Sequence, residues 1–186
     1  MATCTSPLSN TSIDCLDPKA SGGLKAVYYI SSTDVTSFTA STTEHSYTAV
    51  TLSATSDVFY KGELKSQTGT ATYEPEEGNG GVAYTLNVEF FMPRQEKEKA
   101  FSLQQQIEAG YLIVIAAYTN GEAFVYGYDE KLQNDAQLQC RPGGVLEAEF
   151  NGLNGYNVSY TGSQIDMPRQ FIGTIDVSGG TTVTFS

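Results

Sequence analysis

Residues with both the type and the spacing for chemistry are few in this chain. His45, the single histidine, stands beside Glu44 in the run STTEHSY, and a carboxylate next to an imidazole is the raw material of a general base. Neighbouring residues on an extended strand point to opposite faces, however, and no Ser or Cys occupies a nucleophile elbow. His45 therefore reads as a surface-loop histidine. Glu147 and Glu149 lie two apart in a predicted strand and share a face. The strand rise puts them about 6.5–7 Å apart, near the carboxylate separation of inverting glycosidases. Any solvated strand face produces the same spacing, and that is the reading adopted. Glu74, Glu76 and Glu77 in TYEPEEGNGG lack the fixed Asp/Asn positions and terminal Glu of a calcium loop, so Glu74–Gly81 reads as an acidic protruding loop. Gly143-Gly144 and Gly179-Gly180 have no phosphate-binding context. Cys4, Cys15 and Cys140 are odd in number, show no CxxC spacing, and with one histidine complete no common zinc set. Reduced structural thiols are expected, with a Cys4–Cys15 link as the alternative. The triplets at Asn10 and Asn157 read as chance matches to a glycosylation acceptor. No catalytic residue, metal site or cofactor is expected, and the chain does not read as an enzyme.

Composition narrows the field. The 186 residues carry 21 acids against 10 bases, a formal net charge of -11, and the bases are scattered. Gripping nucleic acid through its phosphates requires clustered Lys and Arg, so that function is disfavoured. Disorder is excluded by a 40% hydrophobic content with 12 Tyr and 9 Phe. The longest apolar run, Tyr111 to Tyr118, is too short for the roughly 20 residues of a membrane helix, and the N-terminal stretch lacks the basic and apolar regions of a secretory leader.

The elements that must hold these residues are mostly strands. Residues 1–23, rich in Ser, Thr, Pro and Asp, predict a flexible arm. Residues 24–186 predict one antiparallel β-sandwich or barrel, built from short segments rich in Val, Ile, Thr, Tyr and Phe between Gly, Asn, Ser and Asp clusters. These include Leu24–Ile30, Tyr47–Leu52, Val58–Lys65, Thr68–Tyr73, Val82–Met92, Val145–Phe150, Tyr156–Thr161, Phe171–Val177 and Thr181–Phe185. Asn120-Gly121, between YLIVIAAYT and EAFVYGY, predicts a tight hairpin with a type I′ turn. Leu112–Ala117 has no alternation and should be buried on both faces. One helix is expected near 95–109, inserted between two long strands, with Ala100, Leu103 and Ile107 facing the core, Gln104-Gln105-Gln106 on its polar side and Gly110 closing it.

A polar arm, a β-sandwich, a single helix EKEKAFSLQQQIEAG between strands, an acidic total and an empty catalytic inventory together resemble the tail tube proteins of tailed bacteriophages. The stretches YLIVIAAYTNGEAFVYGYDEKLQNDA and VLEAEFNGLNGYNVSYTGSQIDMP are similar to the distal half of such proteins. Neck-ring, tail-terminator and tail-completion proteins share related folds. The resemblance implies a structural virion protein assembled in the host cytoplasm, a hexameric ring stacked into a tube or head-tail connector, contacts with itself and with other tail or neck proteins, and DNA that passes through the ring without specific binding. Under it, Glu147, Glu149, Asn87 and Glu89 are candidates for the lumen wall, and Glu74, Pro75, Glu76 and Glu77 for contacts between stacked rings. The alternative reading is a β-sandwich binding module, such as a capsid decoration or a fibre domain that grips a receptor or glycan.

Overall fold

The computed structural model describes residues 23–62, 64–65, 68–78, 81–133, 138–146 and 154–185. The N-terminal arm, Cys4, Cys15, Asn10, Glu147 and Glu149 lie outside the described residues. The rest is a mainly antiparallel β fold with one helix, as the sequence pattern predicts.

Three sheets form. A seven-stranded sheet runs in the order β2 (Val35–Ala40), β3 (Ser46–Leu52), β11 (Arg169–Phe171), β8 (Ala123–Tyr126), β7 (Leu112–Tyr118), β1 (Leu24–Ser31) and β4 (Tyr60–Gly62). A four-stranded sheet runs β5 (Thr70–Gly78), β6 (Gly81–Pro93), β10 (Asn154–Gln164) and β9 (Gln139–Leu146). A hairpin of β12 (Thr174–Val177) and β13 (Thr181–Thr184) makes the third.

The run LIVIAA at the heart of β7 explains the layering. All six residues are buried, and they alternate between two cores. Ile113, Ile115 and Ala117 face one, with Tyr28, Phe38, Tyr47, Phe59, Phe171 and Phe185. Leu112, Val114 and Ala116 face the other, with Val88, Phe90, Val158 and Tyr160 of the four-stranded sheet. Strand β1 divides in the same way, and the irregularity between Leu24 and Ala26 returns Leu24 to the second core. The β12–β13 hairpin covers the first core. Phe59 N–H donates to Asp176 O and Ser178 N–H to Phe59 O, fastening the hairpin beside β4.

Several local expectations are corrected. The β7–β8 turn is not type I′. Gly121 N–H bonds Tyr118 O, Tyr118 N–H bonds Glu122 O, and only Gly121 of the Asn-Gly pair has positive φ, at 96°. This is a three-residue loop, a type I turn closed by a left-handed glycine. Glu74–Gly78 is not a loop but the second half of β5, paired residue for residue with β6 from Glu74↔Thr85 to Gly78↔Gly81. Predicted strand Phe171–Val177 breaks into β11 and β12 at Gly173, which lies against the Thr48 carbonyl. Strand β9 begins earlier than Val145 and takes in Pro142, Gly143 and Gly144; it is an edge strand, where proline is tolerated. Strand β2, hidden in a run of Ser and Thr, is anchored by buried Val35 and Phe38.

Helix α1 (Lys97–Glu108) ends where expected, with Gly110 at φ 78°. Its inward face differs from the expected stripe. Leu103 and Gln106 are buried, while Ala100, Phe101 and Ile107 are exposed. Two joints fix that rotation. Arg94 N–H and Gln95 N–H both bond Asn154, and the Gln95 side chain donates to the carbonyls of Val145 and Gly155. Leu103→Ala should therefore cost about 2–5 kcal/mol in chemical denaturation, whereas Ile107→Ala should stay within about 0.5 kcal/mol of the parent.

Candidate functional site

The surface with the most extended polar order is the outward face of the four-stranded sheet. Residues paired across neighbouring antiparallel strands share a face, so the registers define it in rows. One row is Thr70, Glu89, Ser159 and Arg141, and the next is Thr72, Asn87, Thr161 and Gln139. Glu74, Thr85 and Ser163 follow, then Glu76 beside Ala83. The opposite face carries Ala71, Val88, Tyr160 and Cys140, all in the second core. Alternation thus sorts one sheet into a dry side and a wet side.

The structure brings together four of the predicted site residues on this wet face: Asn87, Glu89, Glu74 and Glu76. Asn87 Nδ2 donates to Glu89 Oε1 at 2.9 Å, along one strand edge. Pro75 and Glu77 are exposed on the same strand but belong to the alternate side. Carboxylates gather on the β5 side and Arg141 stands on β9, so among the described residues the face carries three acids against one base. Strand β5 is an outer strand of its sheet, and its proline and three glutamates guard that edge against unwanted pairing.

His45 is exposed in the β2–β3 turn. It lines a groove with Val82, Tyr84, Ile165, Met167 and Lys131. Behind that groove is a loop cluster that sequence reasoning missed. Asp129, 1% exposed, accepts the backbone N–H groups of Lys131, Leu132 and Ile165, which makes it a structural knot between two loops rather than a free carboxylate. Gln164 continues it, accepting from Gly127 N–H and donating to Asp166 O. Ion pairs Lys131–Asp166 at 2.7 Å and Arg169–Glu130 at 2.9 Å close the outside. Among the described residues no cluster of His, Cys, Asp and Glu could hold a metal ion.

A second missed group lies under α1. Gln106, predicted on the polar side of the helix, is 4% exposed. Its Oε1 accepts from Tyr160 Oη at 2.7 Å and from Cys140 Sγ at 3.5 Å. Its Nε2 reaches Ser102 Oγ at 3.5 Å, and Ser102 meets Tyr29 Oη at 3.2 Å. Burial pushes the Tyr160 hydroxyl well above its ordinary range and the Cys140 thiol up to about 12. Neither is a nucleophile at neutral pH. The signal for Gln106 was present in the helical spacing Leu103 to Gln106, but polarity concealed it.

No protein-family model, curated protein or solved structure matches the chain.

A thiol favoured in its neutral form by folding contributes stability that is complete below the unfolded thiol range, about 8.5, and is lost as pH rises toward about 12. Cys140 should therefore resist iodoacetamide at pH 8 in the native protein and react readily in denaturant. Peptide mass spectrometry of the Cys140 peptide reads both states.

Proposed function

We propose that this chain is a structural, self-associating subunit of a tailed-bacteriophage tail tube or head-tail connector. In this reading copies close into a ring and turn the wet face of the four-stranded sheet toward a lumen through which DNA passes. The observation that carries the reading is that face itself: an ordered polar surface on which Glu74, Glu76 and Glu89 outnumber Arg141. A wall of net negative charge repels phosphate, and a face with one exposed base releases few counterions on meeting DNA. Duplex DNA would slide along such a wall without being held.

Subunit contacts would come from elsewhere on the molecule. Phe101 is 63% exposed and Ile107 52% on α1, while Val82, Ile165 and Met167 are exposed near the end of the β5–β6 hairpin. Exposed apolar groups clustered in two places suit association, and heterologous contacts that close produce rings. On the other side of β5, away from Glu74 and Glu76, Pro75 and Glu77 stand on one arm of a hairpin, which suits a contact between stacked rings better than a loose loop would.

Sedimentation and negative-stain microscopy of the purified protein test the reading. Rings or tubes with an open lumen are expected; a monomer at every concentration and salt condition would overturn it. Assembled Glu89→Lys should retain its rings and bind duplex DNA with a steep salt dependence, because each added cation that neutralises a phosphate adds about 0.9 to the slope of log K against log salt. Rings of Glu89→Lys that bind DNA no better than the parent would remove Glu89 from the lumen.

A further inference from the structure

The buried amide of Gln106 borders a cleft between α1 and the β1–β4 edge. Its polar and aromatic lining includes Tyr29, Asp34, Tyr60, Ser102, Gln105 and Gln106. None of them belongs to the wet sheet face. From these residues we infer that the cleft is a binding site for a single neutral sugar ring.

Three observations support this ligand class. The first is an aromatic platform. Tyr60 is 50% exposed, and its ring is stacked on Tyr29 with centroids 5.9 Å apart and planes 24° from parallel. A half-exposed tyrosine ring offers an apolar face beside a polar handle, and the C–H face of a pyranose is the complementary surface.

The second is a set of prepositioned neutral hydrogen-bonding groups. Tyr160 and Cys140 both donate to Gln106 Oε1, which holds the amide with Nε2 on the Ser102 side. Nε2 reaches Ser102 Oγ at 3.5 Å and also donates toward the Tyr29 hydroxyl, so the amide anchors both hydroxyls at the cleft. The hydroxyls of Ser102 and Tyr29, linked at 3.2 Å, both donate and accept, as hydroxyl recognition requires. Asp34, whose carboxylate accepts from Thr33 Oγ1, adds an acceptor at the rim.

The third is size. The cleft holds about 240 Å³, below the roughly 300–1,000 Å³ of sites for drug-sized ligands. That suits one ring. Among the described residues the lining holds no Lys or Arg, so an anionic ligand such as a phosphate meets no counter-charge from them.

Protein NMR titrations with methyl α-D-glucopyranoside, methyl α-D-galactopyranoside and N-acetylglucosamine provide the test. At least one sugar should give saturable shifts of the Ser102, Gln105 and Gln106 amides. Tyr60→Ala should weaken that binding at least tenfold, while Tyr60→Phe, which keeps the ring, should retain it. Thermal melts establish that each variant is folded; because Tyr60 lies on an edge strand, Ser102→Ala provides a second, interior probe, and it should also lose affinity. Absence of saturable shifts with all three sugars would overturn the inference. Shifts unaffected by both Tyr60→Ala and Ser102→Ala would overturn it equally.

Discussion

The fold depends on β7 being dry on both sides. Its six buried residues include no polar side chain, and its backbone groups pair with β1 on one side and β8 on the other. Such a strand has no solvent-tolerant face, so each side needs its own cover. The β12–β13 hairpin, with Phe38, Tyr47 and Phe171, packs with one side; the four-stranded sheet and α1 cover the other. At roughly 25 cal/mol per Å² of apolar surface removed from water, the central strand contributes to both cores at once, and a polar substitution at Ile113 or Val114 would be felt in the core it faces.

From this constraint follows the location of the polar chemistry. The four-stranded sheet spends one face on covering β7, and period-two alternation commits every other residue to the opposite face. That second face is where Asn87, Glu89, Ser159, Thr161 and Arg141 must go. The helix faces a different compromise. Rotated by the Gln95–Asn154 joint, it presents Gln106 to the interior, where Tyr160 and Cys140 satisfy the carbonyl end and leave the amide end toward a cleft. A buried glutamine with two donors on its oxygen is costly to misplace, since an unsatisfied buried partner costs about 1–3 kcal/mol. The wet face and the helix cleft are therefore both by-products of how the second core is closed.

Much of the fold was legible in the sequence, because long or strongly patterned segments carry their own signal. LIVIAA announces double burial, VAYTLNVEFF announces alternation, and Gly110 announces the end of a helix. What was not legible depended on tertiary partners. Strand β2 hides in Ser and Thr because only Val35 and Phe38 touch the core. The β5 half of the acidic hairpin reads as a loop because its glutamates have no period, and pairing with β6 alone makes it a strand. The polarity of Gln106 masks a core position that only Tyr160 and Cys140, distant in sequence, explain. Of the wet face, Asn87 and Glu89 were found by alternation; Ser159, Thr161 and Arg141 were not, since they become neighbours of Glu89 and Asn87 only through register.

The central functional claim is that the wet face of the four-stranded sheet looks into an enclosed space in the assembled protein. Thiol accessibility at position 89 measures this most directly. In Glu89→Cys, a small maleimide should label residue 89 in both dissociated and assembled protein, whereas a maleimide carried on a large polymer should label it only when dissociated. Equal labelling of residue 89 by the large reagent in both states would contradict the account, because it would leave that face open to bulk solvent.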